Sequence, residues 1–544
     1  MDKILDRPLL IVMALCILLS TSLACSRSGD ETSDAGTDAA LDSGQSDGAA
    51  GDADSDADSD ADTEADAGMD AGRDANASGA YQWHTFYGTG NYDFGSDVAT
   101  DENGNLYVLG SSFANWLGPD GQAPLHPLSG SDDIVVMKLT RDGAYQWHTF
   151  YGSDDDTYPY GPDIPGSDFA RGMTLDRDGN IYVIGSSYQG WTGPDSQPPL
   201  HAFCDERDFF LLKLDRDGVY QWHTFYGSCE GSRAFSIAAG QDGNLFITGS
   251  SGPWTGPDGQ APLHDTNISS ALFVLNLTHD GAYVWHTYYG DDISNDGTDI
   301  QVDEHGNVVV VGRSELGWTG PEGQEPLNDH SGYYDLVVLK LGKDGAYQWH
   351  TFFGSSDYDS GNALALDRDG NIYVTGSSSV GWVGPDGQEP RHQLKEIPSF
   401  TMRISGNGDY VWHTFYGGSA IALGRDGDLY IAGDSHSDWN GPASQAPLVN
   451  LTQGSWDIHV IKLSDDGAYQ WHTFYGCSVD FSGGSDDYGG SIALDDRGGM
   501  YIGGMSDHTW NGPDGQSPLH AHSEQRSLGY NIEDYDMTIL KLTQ

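Results

Sequence analysis

Seven near-copies of one decapeptide constrain this 544-residue chain more than any other feature. Gly-Ala-Tyr-Gln-Trp-His-Thr-Phe-Tyr-Gly begins at Gly79, and its tryptophan recurs as Trp83, Trp147, Trp222, Trp285, Trp349, Trp412 and Trp471. Three further pieces recur between the copies. One is a short apolar stretch leading into a turn such as Asp176-Arg177-Asp178-Gly179-Asn180. The next is Ile181-Tyr182-Val183-Ile184-Gly185-Ser186. The last is typified by Ile134-Val135-Val136-Met137-Lys138-Leu139 and ends in another Asp-Gly turn. A unit written this often at a fixed order cannot bury its own apolar surface alone, so it must stack on its neighbours.

Each piece is rich in β-branched and aromatic residues and is bounded by Asn-Gly or Asp-Gly, the signals of strands joined by tight hairpins. The Ile134 piece is apolar without alternation, as expected of a strand covered on both faces. One repeat is therefore a four-stranded antiparallel sheet, a-b-c-d. Radial stacking of such sheets is a β-propeller. The phase supplies the closure. The first strand, 81–88, is a d strand with no a, b or c before it, and the last, 537–542, is a c strand with no d after it. The expectation is an all-β, seven-bladed propeller at 80–544, with the N-terminal strand completing the last blade. Blades 1 to 6 fall at 89–152, 153–227, 228–290, 291–354, 355–417 and 418–476. Blade 7 is 477–544 plus 80–88.

The pattern D-x-x-G-N-[IL]-Y-V-x-G-S, an apolar strand ending Lys-Leu, then Gly…Trp-x-Thr…Gly, resembles the bacterial SBBP β-propeller repeat. The resemblance covers essentially residues 80–544 and implies an extracytoplasmic propeller. It brings no general activity and no catalytic residues.

The segment before the repeats has a different chemistry. Leu9 to Leu19 is an unbroken apolar run, too short to span a bilayer and right for an export signal over 1–24. Ser22-Leu23-Ala24-Cys25 resembles a bacterial lipobox, with leucine two rather than three residues before the cysteine. The resemblance implies lipidation of Cys25, and Ser26 implies sorting to the outer membrane or cell surface. Residues 26–79 carry 16 acidic and 2 basic residues and almost nothing apolar. Such a segment is expected to be a disordered spacer.

The whole chain carries a formal charge of −58. That opposes nucleic acid and anionic membrane, so membrane contact is expected through the lipid anchor alone, and a monomer is expected. In blade 2, Cys204 and Cys229 are equidistant from the Arg216-Asp217 turn. An unbroken ladder sets them opposite each other, which predicts a disulfide. Cys477 is then left over.

Function is expected on the rim holding the d–a and b–c connections, where length and irregularity concentrate at 153–166, 477–490 and 521–534. Every b–c connector carries a variant of Trp-x-Gly-Pro-Asp-Gly-Gln-x-Pro-Leu-His. Its tryptophans (Trp116, Trp191, Trp254, Trp318, Trp382, Trp439 and Trp510) could stack on sugars, although a residue repeated in every blade is more simply a packing element. The connector and d-strand histidines read as structural hydrogen-bonders, because equivalent residues of successive blades diverge. Asp93, Asp168, Asp359 and Asp487 hold one equivalent position near the start of strand a. They are candidates for a Ca²⁺ ring at the channel mouth, against the plainer reading of solvated turn aspartates. No nucleophile elbow, P-loop or zinc-protease motif is present, and no catalytic residue is assigned. A binding or interaction scaffold for protein or glycan at the loop-rich face is the leading expectation. A glycan hydrolase or lyase, and a periplasm-facing assembly scaffold, are the alternatives.

Overall fold

A computed structural model describes residues 78–544, apart from 131, 155–167, 205–206, 230, 267, 292, 395–397, 453–454, 478–485 and 524–533. Cys25 and the middles of the three long insertions, 155–166, 478–485 and 524–533, lie outside the described residues. The described residues form 28 strands, β1 to β28 in chain order, and no helix. They make seven four-stranded sheets. Blade 1 holds β2 (Asp93–Thr100), β3 (Leu106–Ser112), β4 (Asp133–Leu139) and β5 (Tyr145–Tyr151) in the order a-b-c-d, all antiparallel. Strands b and c are buried along their whole length in this blade. That accounts for their unbroken apolar sequence: each lies between two neighbouring sheets. Each apolar cluster is shared by two consecutive blades, so one blade has no core of its own.

The ring closes through β1 (Tyr81–Tyr87), which pairs with β28 (Asp536–Thr543) in blade 7, His84 opposite Leu540 and Tyr87 opposite Met537. The turn that joins strands c and d elsewhere is here made by two distant parts of the chain. In blade 1 the Gly143 N–H donates to the Thr140 carbonyl (2.9 Å) and the Thr140 N–H to Ala144 (2.8 Å). At the seam Gly79 donates to Thr543 (2.9 Å) and Thr543 to Ala80 (3.0 Å). Gly79 has φ +77 and Gly143 φ +81, the left-handed conformation that glycine adopts without strain. The seam is the same turn with its covalent link absent.

Two polar stitches join consecutive blades. On the outside, the c-strand lysine lies over the b-strand tyrosine and donates to a turn carbonyl of the next blade. Lys138 reaches Arg216 (2.9 Å), Lys213 reaches His279 (3.0 Å) and Lys541 reaches Arg141 (2.8 Å). On the inside, Asp97 accepts from the Met173 N–H of the following strand a (2.8 Å), and Asp299 does the same with Leu364 (2.8 Å).

Blade 6 departs from the rest. Its strand a has only four residues, Ala420–Leu423, and it follows a strand d of blade 5 that is itself cut to five, Tyr410–Thr414. The shortening is visible in the sequence as a brief entry into strand a.

The Cys204–Cys229 disulfide forms, with the two Cα atoms 5.3 Å apart. The ladder that predicted it is not unbroken. Lys213 faces Trp222 while Leu214 faces Tyr220, so Gln221 is an extra residue in strand d. Both cysteines lie beyond the paired strands, and Cys229 takes φ 59 to reach its partner. The bond therefore ties the b–c connector of blade 2 to the following d–a connection, rather than bridging two strands. Closing a loop of 25 residues should stabilise the fold by about 3 kcal/mol. Reduction, or the pair Cys204→Ser with Cys229→Ser, should lower the denaturation midpoint accordingly. Unchanged unfolding would show that the bond constrains nothing.

Candidate functional site

The connectors do not stand up from the loop-rich rim. They turn outward and run along the exposed edge of strand d. In blade 1 the Leu125 N–H donates to the His148 carbonyl (2.9 Å), and the Phe150 N–H donates to His126 (3.0 Å). The Gly-Pro-Asp-Gly turn lies against Tyr145, the first residue of that strand. An outer strand with free N–H and C=O groups invites pairing with another chain, and the connector covers it.

A three-residue relay fixes this arrangement in all seven blades. Tyr81 Oη–H donates to His84 Nδ1, and His84 Nε2 bonds the Trp510 carbonyl. Across the blades the first bond is 2.6–2.8 Å and the second 2.9–3.2 Å. A carbonyl only accepts, so Nε2 carries the proton and Nδ1 the lone pair. The tryptophan ring also stacks on the histidine, at centroid distances of 3.6–3.9 Å. Burial pushes all seven of these imidazoles down to about 4, so they stay neutral.

This geometry corrects the sugar-stacking expectation for the connector tryptophans. Trp116, Trp191, Trp254, Trp318, Trp382, Trp439 and Trp510 are only 4–8 % exposed, with one face on a histidine. The connector histidines are likewise committed. His126, His201, His264 and His520 bond a d-strand carbonyl through Nδ1 at 2.7–2.9 Å, and His392 bonds Thr414.

The four strand-a aspartates are not solvated, and they do not converge. Each is fully buried. Asp168 accepts from Ser187 at the end of strand b and from the Ser153 N–H (2.7 Å) at the start of the d–a connection. Asp93, Asp359 and Asp487 hold Thr89, Ser355 and Cys477 in the same way. Each faces the first carboxylate of strand c in the preceding blade: Asp93 with Asp536, Asp168 with Asp133, Asp359 with Asp335, Asp487 with Asp457. A glycine sits between the partners. A methyl group on Gly354 would come within 2.8 Å of both Asp335 and Asp359. The aspartates thus anchor loop ends at separate blade junctions. Among the described residues one His/Asp group is compact enough to share a cation, and none of the four belongs to it. Ser232 and Asn295 take over the anchoring in blades 3 and 4. For blade 6 the equivalent place falls on Tyr416, at the end of blade 5, and its ring stacks on Trp439 instead.

A site not singled out in the sequence crosses the loop-rich rim of blades 6, 7 and 1. Trp456 and Tyr535 precede strands c, Tyr488 and Tyr92 flank the starts of strands a, and Phe113 follows a strand b. Their rings form a continuous arc: Trp456–Tyr488 6.2 Å, Tyr488–Tyr535 6.4 Å, Tyr535–Tyr92 6.2 Å, Tyr92–Phe113 6.0 Å. Phe94 stacks on Tyr92 within it (5.6 Å). Tyr535 is buried at the centre and the other five rings are partly exposed. Isolated parallel bridges, Tyr92 to Tyr535 and Trp456 to Asp486, fix the backbone beneath. The signal in the sequence was Trp456, the one tryptophan outside the repeat.

The buried carboxylates set a pH dependence. Burial, reinforced by the facing aspartate, pushes Asp93 and Asp168 up to about 7. Burial pushes Asp133, Asp359 and Asp536 up to about 6. The folded state then binds more protons than the unfolded chain, so stability falls as pH rises through these values. The seven imidazoles act in the opposite sense, costing stability as pH falls from about 7.5 to about 4, so the carboxylate contribution is read by difference. From about pH 6 to about 8 the denaturation midpoint of Asp168→Asn should fall less, or rise more, than that of the wild type. Parallel curves for the two proteins would contradict the assignment.

The sequence profile of the SBBP β-propeller repeat matches residues 82–115, 146–189 and 348–381. An uncharacterized WD repeat-containing protein of Acanthamoeba polyphaga mimivirus is 21% identical over 441 residues, covering 65% of this chain and 31% of the relative. The regulatory protein FlaEY of Caulobacter vibrioides is 30% identical over 159 residues, covering 27% of this chain and 16% of the relative. The chain thus spans less than a third of either relative. Among solved structures, the Pan2 WD40 domain of Neurospora crassa covers 87% of this chain and 99% of its own, with TM-score 0.41 and 8% identity. A polysaccharide lyase, an ulvan lyase, covers 79% of this chain and 92% of its own, with TM-score 0.38 and 11% identity. Three repeat matches on three of seven like blades give one conclusion: the chain is an SBBP-repeat β-propeller protein.

Proposed function

We propose that this protein is an exported, lipid-anchored scaffold that binds a glycan across the aromatic arc of its loop-rich rim. The observation that carries the proposal is the arc itself. Six rings lie in contact over three blades, five of them partly open, on a closed and cross-stitched ring. Aromatic faces offer a rigid apolar platform at little entropic cost, and the C–H face of a pyranose suits such a platform. Hydrogen-bonding groups lie alongside. Tyr488 Oη–H donates to Asp486 (3.2 Å), and His508 pairs with Asp507 (2.8 Å). The acidic 26–79 segment would hold the propeller away from the lipid headgroups, and Cys25 would carry the anchor.

Glycan arrays followed by titration of any hit test the binding. Trp456→Ala and Tyr488→Ala should each weaken it by about tenfold, ~1.4 kcal/mol. Trp116→Ala should act on stability and leave affinity unchanged in the folded fraction. Binding of a protein with no glycan, or affinity indifferent to Trp456, would overturn the glycan assignment. For the anchor, metabolic lipid labelling should mark the wild type and miss Cys25→Ala. Protease release of the propeller from intact cells should follow if it faces outward.

A further inference from the structure

We propose that His522, Asp534 and Asp536 form a binding site for a divalent transition-metal ion of the zinc type. Their candidate ligand atoms all lie within 4.8 Å of one another. His522 Nε2 bonds the Ser506 carbonyl (3.0 Å), so the proton sits on Nε2 and Nδ1 presents its lone pair. That Nδ1 has no hydrogen-bond partner, although the side chain is only 1 % exposed. It lies 3.9 Å from Asp536 Oδ2. The separation is too long for a hydrogen bond. It suits two ligands that each reach one ion at about 2.1 Å.

The surroundings are those of a ligand set. An imidazole whose second nitrogen donates to a backbone carbonyl is the usual orientation of a metal-binding histidine. Asp534 and Asp536 flank Tyr535 in the chain leading into β28, and their carboxylates gather at His522 while the tyrosine ring joins the aromatic arc. The Ser523 N–H donates to Asp536 Oδ2 (2.7 Å) and holds the carboxylate in place. One nitrogen and two carboxylates favour zinc over calcium, which takes six to eight oxygens.

Blade 4 is an internal control. His330 bonds the Ser314 carbonyl through Nε2 (3.1 Å) and stands near Asp335, the counterpart of Asp536. Where blade 7 has Asp534, blade 4 has the exposed Tyr333. The third ligand is therefore particular to blade 7. His522 and Asp534 stand on either side of that blade's b–c extension, and Asp536 opens the strand that pairs with β1. A bound ion would join the two flanks of the extension to the closing sheet.

The test uses the full chain, stripped with a chelator and titrated with Zn²⁺, and with Co²⁺ as an optical probe. One high-affinity equivalent and a raised Tm are expected. His522→Gln and Asp534→Asn should each weaken that equivalent at least tenfold and abolish the Tm shift, while His330→Gln keeps both. Weak binding by the acidic linker is common to every variant and cancels in the comparison. Should His522→Gln fail to fold, Asp534→Asn at its partly exposed position carries the test. Wild type and Asp534→Asn titrating alike, or a site that takes Ca²⁺ and not Zn²⁺, would overturn the proposal.

Discussion

A blade of this protein buries neither face by itself, so everything depends on the ring being closed. The closing contact is the pairing of residues 81–87 with 537–542. It completes a sheet, and it also restores the glycine turn at Thr543, Gly79 and Ala80 with the hydrogen bonds used in the continuous blades. Without it, blade 7 would lack its outer strand and blade 1 would lose one wall of its core, since Trp83, Tyr87, Met537 and Ile539 pack with residues of blade 1. The relay of Tyr81, His84 and Trp510 would lose its connector as well.

The fold was legible because its instructions are repeated. Strand order, blade number and closure all followed from the phase of the decapeptide, and each is a matter of backbone pattern. Side-chain roles were legible only where the chemistry was local. The Cys204–Cys229 pairing was correct, yet the assumed ladder is broken at Gln221, and the cysteines meet in the connections beyond it. The aspartates at 93, 168, 359 and 487 were placed correctly on strand a. Their partners were hidden, because each lies on strand c of the preceding blade, 24 to 35 residues away within the chain and at the opposite end of it for Asp93. Repeated tryptophans drew attention to the connectors. The rings that remain open belong instead to positions that are aromatic in only some blades, such as Trp456 and Tyr92, whose counterparts Tyr334 and Tyr358 make the same bridge between blades 4 and 5.

The two classes of aromatic residue divide the work of the molecule. The repeated ones are consumed by the scaffold: histidine under tryptophan, tyrosine on histidine, connector over strand edge. Those that vary from blade to blade make a continuous run where blades 6, 7 and 1 meet, on the rim that also carries the long connections. Blade 6 is the shortest blade and blade 7 holds the seam, so the departures from regularity coincide with the arc. A scaffold this uniform gives recognition no handle except its own irregularities.

The outer lysine stitch has a direction. Lys138 reaches from blade 1 to blade 2, Lys213 from blade 2 to blade 3, and Lys541 from blade 7 to blade 1. The connector leucines point the same way, Leu125 lying beside Gly218 of the next blade and Leu519 beside Gly143. The ring is therefore polar around its circumference, like a circle of people each with a hand on the shoulder ahead. Damage to one blade's turn removes the grip of the blade behind it while that blade still holds the one in front. Loosening should spread against the order of the sequence, from higher-numbered blades to lower.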